Sequence, residues 1–147
     1  MILLDATAFA LLVNPNADAP LDPATGRPVS FARERFAHLE AEVQRTSSTI
    51  LIPTPALAEV LVGLGDAGPA VLARIDRSAR FKVADFDLMA AVELAAMTRE
   101  ALRAGDKKGG FASPWQKVKI DRQIVAIARV RSAERIYSDD KGVATLA

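Results

Sequence analysis

Thr49-Ile-Leu-Ile52-Pro-Thr-Pro-Ala-Leu-Ala-Glu59-Val-Leu-Val-Gly-Leu64 carries two structural signals in one stretch. Thr49–Ile52 is β-branched or aliphatic at every position, as expected of a short strand buried on both faces. Thr54-Pro55 then supplies a cap followed by Pro at the first helical position, opening a helix to Leu64. That helix is apolar all round except for Glu59. A buried strand that hands over directly to a helix is the repeating unit of a parallel α/β sheet.

The same alternation runs outward in both directions. Ile2–Leu4 reads as a strand ended by Asp5, and residues 6–13 as a short apolar helix or turn. Residues 14–28 hold Pro15, Pro20, Pro23, Gly26 and Pro28 and form a loop, longer than most connections. Ser30 is read as the N-cap of a helix to Arg45, with Phe36, Leu39 and Val43 at helical spacing. After Leu64, Gly65–Gly68 is a turn, 69–77 a helix and Phe81–Val83 a brief strand. Asp87 caps a helix to Arg103 with Leu88, Val92, Leu94 and Met97 inward. Residues 105–116 are a loop, Lys117–Arg131 a helix, and Arg135–Ser138 a last strand before Asp139-Asp140. One domain is expected over residues 1–147.

Composition narrows the chemistry. Half of the residues are hydrophobic, enough for a sizeable core. There is no cysteine, which excludes disulfides, thiolate metal sites and a Cys nucleophile, and the single histidine, His38, excludes His-rich metal sites. Nineteen basic against eighteen acidic residues leave a net +1, so bulk charge does not hold nucleic acid. No run approaches the roughly 20 apolar residues of a spanning helix, and the start lacks a basic leader. The expectation is a soluble cytoplasmic protein whose chemistry rests on carboxylates.

The acids sit where they cost most. Glu59 lies in an apolar helix and should point into protein or a cleft, where a lone carboxylate needs a cation, a donor or a metal. An ion pair to an Arg such as Arg74 is the structural alternative. Asp121 precedes Ile124 and Val125 by three and four residues, on the apolar side of its helix. Asp5 and the pair Asp139-Asp140 each follow a short strand, and ligands of open parallel sheets bind beyond the carboxyl ends of strands. Clustered carboxylates repel unless a divalent cation neutralises them, and an all-oxygen donor set suits Mg²⁺ or Mn²⁺. Such ions activate water and stabilise a phosphodiester transition state.

Taken together, Ile2-Leu-Leu-Asp5, Glu59, Asp121-Arg-Gln-Ile-Val-Ala-Ile-Ala128 and Ile136-Tyr-Ser-Asp-Asp-Lys-Gly142 resemble the PIN-domain nucleases, and most nearly their VapC-like toxin branch. The resemblance implies a three-layer α/β/α sandwich around a parallel sheet and a Mg²⁺- or Mn²⁺-dependent ribonuclease site. Carried over singly, Asp5, Glu59 and Asp121 match the first three acids, and Asp140 the last residue of Thr-x-Asp, with Ser138 supplying its hydroxyl. Asp5, Asp121 and Asp140 would hold the metal. A cognate antitoxin and a homodimer are implied in the same way. Thr7 stands where the family has Asn or Ser, the 14–28 loop is longer than in compact toxins, and the chain stops soon after the last motif. The chain is therefore expected to be clipped or a shortened member, without the last strand.

Charge is uneven. Residues 1–98 carry 8 basic and 12 acidic groups, whereas residues 99–135 carry 10 basic and 4 acidic. Lys107, Lys108, Lys117, Lys119 and Arg122, with Phe111 and Trp115 between them, are the candidate RNA-binding segment, since cations hold phosphates and aromatics stack bases. A solubilising loop with Trp115 folded onto the core is the alternative. Two rival classes lack their signatures: aspartyl-nucleophile phosphatases need a second acid at Thr7, and phosphoacceptor receivers need paired acids near the first strand. The remaining alternative is a PIN-like scaffold that binds RNA or protein without catalysis.

Overall fold

In a computed structural model of the chain, residues 1–14, 16–22, 25–138, 143 and 146 are described. Four strands, β1 (Ile2–Leu4), β2 (Ile50–Pro53), β3 (Phe81–Ala84) and β4 (Arg135–Tyr137), form one sheet in the order β3-β2-β1-β4. All pairings are parallel, with Ile2 opposite both Ile50 and Arg135. The helices are α1 (Ala6–Val13), α2 (Ala32–Thr46), α3 (Thr54–Leu64), α4 (Gly68–Asp76), α5 (Leu88–Arg103) and α6 (Trp115–Val130). This is an α/β fold around a central parallel sheet, and the expected alternation of strand and helix is present.

Alternating strand residues divide the core. Ile2, Leu4, Ile50 and Ile52 pack with Phe9, Leu39, Val43 and Val71 on one face, under α1, α2 and α4. Leu3 and Leu51 pack with Ala90, Ile124 and Ile127 on the other, under α5 and α6. α6 is the most enclosed helix, with eight buried residues from Val118 to Ala128.

Several local expectations are corrected. Ser30 does not cap α2: the N-cap is Phe31, in the left-handed region at φ 57° with no side-chain cap bond. Pro53, not Thr54, is the N-cap of α3, and the Thr54 hydroxyl instead accepts the Phe86 N–H at 3.1 Å, pinning the β3–α5 connection. α6 begins at Trp115, ahead of Lys117. Leu88 and Val92 face solvent, 78% and 57% exposed, because α5 turns the Ala90, Leu94 and Met97 side inward. Asp87 does cap α5: one carboxylate oxygen accepts the Ala90 N–H at 3.0 Å and the other accepts from Arg131 at 2.7 Å. The Ala90 hydrogen bond, then the Arg131 charge, hold its carboxyl below the ordinary range against the opposing effect of burial.

The run Thr54–Asp76 is long and apolar enough to cross a membrane by length and mean hydropathy, against expectation. It is broken by the 3-10 turn Gly65–Ala67 into α3 and α4, and each helix lays one side on the sheet through Leu57 and Val60, or Val71 and Ile75.

Candidate active site

The strand order places a topological switch between β1 and β4: the chain goes from β1 to β2 and β3 on one side and returns to β4 on the other. A crevice is expected there, beyond the strands' carboxyl ends. Asp5 stands at that point. Its backbone N–H donates to the Tyr137 carbonyl at 3.1 Å, so the ends of β1 and β4 are tied together. One Asp5 carboxylate oxygen caps α1 by accepting the Ala8 N–H at 2.8 Å, and the other accepts the Ser138 hydroxyl in a short hydrogen bond. The carboxylate is thus locked in position by two elements and buried to 5% exposure.

α6 brings the second acid. Asp121 is 6% exposed on the helix side that carries Ile124 toward the sheet, as its spacing requires. One turn earlier on the same helix, Lys117 approaches it at 3.9 Å. Asp5, Asp121, Lys117 and Glu59 line one cavity of about 270 Å³, together with Thr7 and Ile120.

Glu59 reaches this cavity differently from the sequence argument. α3 is not buried all round: Ala56, Leu57 and Val60 pack inward while Glu59 and Val62, the latter 84% exposed, face out. An outer-layer helix meets the sheet on one side only, so composition alone overstated its burial. Glu59 therefore stands at the exposed rim of the cleft, and among the described residues it has no ion pair to Arg74 or any other cation. Asp139 and Asp140 lie outside the described residues.

The donor set is hard: carboxylate oxygens with no nitrogen or sulfur ligand in the cavity. Two inward carboxylates fixed by the fold, with a third at the rim, suit a Mg²⁺ or Mn²⁺ ion in donor chemistry. Among the described residues, however, no three such side chains come together as a metal-binding group.

Fold comparison gives the architecture its place. VapC20 of Mycobacterium tuberculosis, a sarcin-ricin loop cleaving toxin, superposes with a TM-score of 0.61 at 17% identity, over 99% of this chain and 94% of that one. The chain has the fold of the VapC toxins. The VapBC2 complex of Rickettsia felis, bound to a DNA fragment from its promoter, gives a TM-score of 0.57 at 16% identity over 93% and 86% of the two chains. No family model matches the sequence. No curated protein matches it either.

On this VapC-like frame the basic segment is partly inward. Arg122 is 1% exposed, which removes it from any outer phosphate-binding face. Its guanidinium donates a long hydrogen bond to Thr98, at 3.4 Å, and its charge adds to the hydrogen bonds from Gly110 and Lys108 in holding the Asp106 carboxyl below the ordinary range, while its Nε has no partner among the described residues. It is adjacent in sequence to Asp121 but points to the α5 side of the helix, a distinction that charge counting misses. Trp115 is half-buried with the Lys107 ammonium 4.0 Å over its ring and Arg122 at 5.7 Å, so these partners cover the ring that stacking on RNA would use. Lys119 is exposed and Lys108 half-buried. Asp106 orders this loop by accepting the Lys108 N–H at 2.8 Å and the Gly110 N–H at 2.7 Å.

Thr7 is the residue the sequence undervalued. Read only as a departure from the family pattern, it lines the acidic cavity and also the two cavities beside it. Its signal was positional: two residues past Asp5 on the first turn of α1, it had to share the same end of the sheet.

Proposed function

We propose that the protein is a metal-dependent endoribonuclease, the toxin of a type II toxin–antitoxin pair, acting in the cytoplasm. The observation that carries this reading is the placement of Asp5 and Asp121, from opposite ends of the chain, in one cavity at the switch point of a VapC-like sheet. Asp5, Asp121 and, by its place in Ser-x-Asp, Asp140 would hold Mg²⁺ or Mn²⁺, which supplies charge neutralisation for the phosphodiester and activation of water. Ser138 and the Ala8 N–H hold the Asp5 carboxylate in one orientation. Glu59, at the rim of the same cavity, would take a proton from the attacking water, and Lys117, 3.9 Å from Asp121, would meet the phosphate. Lys107, Lys108 and Lys119 flank the path of the RNA. A cognate antitoxin and a homodimer complete the proposal by analogy with the VapC fold.

Purified chain, freed of any bound protein, should cleave single-stranded RNA with Mg²⁺ or Mn²⁺ and stop on adding EDTA. Calorimetry should show Mn²⁺ binding that Asp121→Asn abolishes and His38→Ala leaves intact. A folded, metal-binding protein that leaves a varied RNA panel uncut would make a non-catalytic PIN-like scaffold the better reading.

A further inference from the structure

The described residues of the long segment after α1, 16–22 and 25–29, are built into a wall. Leu21 and Pro28 form an antiparallel bridge, the Val29 N–H donates to the Pro20 carbonyl at 2.8 Å, and the Asp22 N–H donates to the Arg27 carbonyl at 2.7 Å. Gly26, at φ +65°, makes the tight return that an L side chain resists. Arg33 of α2 anchors the base of the segment by donating to the Ala17 carbonyl at 2.9 Å. Between this hairpin, α1 and α2 lies a cavity of about 530 Å³, larger than the acidic one.

Its lining combines Leu11, Leu21, Phe36 and Tyr137 with the charged Asp22 and Arg35. Arg35 is exposed and, among the described residues, makes no ion pair. Two residues join this cavity to the acids: Thr7 lines both, and Ser138 lines it while donating to Asp5.

We propose that this cavity is a specificity subsite receiving one nucleobase of single-stranded RNA beside the scissile phosphate, with the hairpin as its selecting wall; the inference rests on the ribonuclease reading. Unpaired bases are recognised by stacking on aromatic faces and by hydrogen bonds to their edges. Phe36 and Tyr137, packed against the core and lining the cavity, would supply the aromatic contact, and Arg35 with Asp22 donors and acceptors for the edges. Trp115, its ring already covered by Lys107, is the poorer stacking platform although its segment is more basic. Continuity through Thr7 and Ser138 places a base held here next to the carboxylates that would act on its phosphate.

The test is cleavage of a randomised single-stranded RNA pool by the full chain with Mn²⁺, sequencing the new ends. Wild type should prefer one base at a fixed position beside the cut, and an abasic site there should weaken binding roughly tenfold. Leu21→Ser and Arg35→Gln, both at exposed positions, and Phe36→Leu should relax that preference by a similar factor and be indifferent to the abasic site. His38→Ala, exposed on the same helix and outside the cavity, should keep it. RNA cut with the wild-type preference by all three variants overturns the subsite and leaves the nuclease reading standing. Loss of a protein partner's binding with an unaltered cleavage pattern overturns it in favour of a protein-docking cavity. A folded wild-type chain that cuts nothing removes the nuclease reading and the subsite with it.

Discussion

Replacing Asp5 separates geometry from charge. In Asp5→Ala, the α1 cap is lost, a cost of about 1 kcal/mol. The Ser138 hydroxyl also loses its acceptor in a part-buried setting, about 1–2 kcal/mol more. A total of about 2–3 kcal/mol should lower Tm by roughly 4–12 °C for a chain of this size. In Asp5→Asn, the amide oxygen can still accept from Ala8, and the amide N–H can donate to a rotated Ser138 hydroxyl. The same change removes a negative charge from a cavity that also holds Asp121 and Glu59. Metal-free stability of Asp5→Asn should therefore stay within about 1 kcal/mol of wild type. Both variants should lose RNA cleavage. Urea unfolding in EDTA, followed by far-UV circular dichroism, measures the first quantity. Repeating it with Mn²⁺ at a hundred times its Kd should stabilise wild type by about 2.7 kcal/mol and Asp5→Asn not at all. Equal destabilisation of the Asn and Ala variants would refute the reasoning, since the charge itself would then be structural. Retained cleavage by Asp5→Asn would remove Asp5 from the chemistry.

Two further outcomes follow from the α5–α6 side. The hydrogen bond to Gly110, then that to Lys108, hold the Asp106 carboxyl below its ordinary value of 3.8, so its ordering of the loop is complete above that value and lost as pH falls through the lower folded one. Emission of Trp115, the one tryptophan, should shift in that acid window as Lys107 leaves its ring, and Asp106→Asn should suppress the shift; an identical titration in the variant would refute the assignment. Arg122→Met should cost less than about 1 kcal/mol in urea unfolding, because a buried guanidinium with an unpartnered Nε gains little over a well-packed thioether. A loss of about 3 kcal/mol or more would show that the Asp106 charge and the Trp115 ring answer the guanidinium better than the unpartnered Nε suggests.

Much of this architecture is written locally. Ile2–Leu4, Ile50–Pro53 and the periodic helices follow from residue type over a few positions, so element order and parallel pairing were legible, although of the expected caps only Asp87 is present. Asp121 was legible too, because spacing to Ile124 fixes the side of a helix it occupies. What spacing cannot say is how many sides of a helix are covered. That is why Glu59 and Val62 came out exposed in an apolar helix, why Leu88 and Val92 face solvent, and why Arg122, in a cationic segment, is interior. The hairpin at Leu21–Pro28 depends on backbone pairing across a loop, a non-local contact that Pro and Gly content announces only as irregular chain.

The Asp5–Ser138 contact joins residues 133 apart, and the amino terminus is paired with Glu134 nearby. β1 can pair with β2 as soon as that strand is made, but its other neighbour, β4, follows every other strand and helix named above. Contacts of such separation form late, after the local ones. Until α6 and β4 have been made, the growing chain lacks both Asp121 and the Ser138 hydroxyl that holds Asp5. On the proposed function, the order of translation itself delays nuclease activity: nothing able to cut RNA exists until the helix that carries Asp121 and the strand that leads to Ser138 have followed Asp5 out of the ribosome.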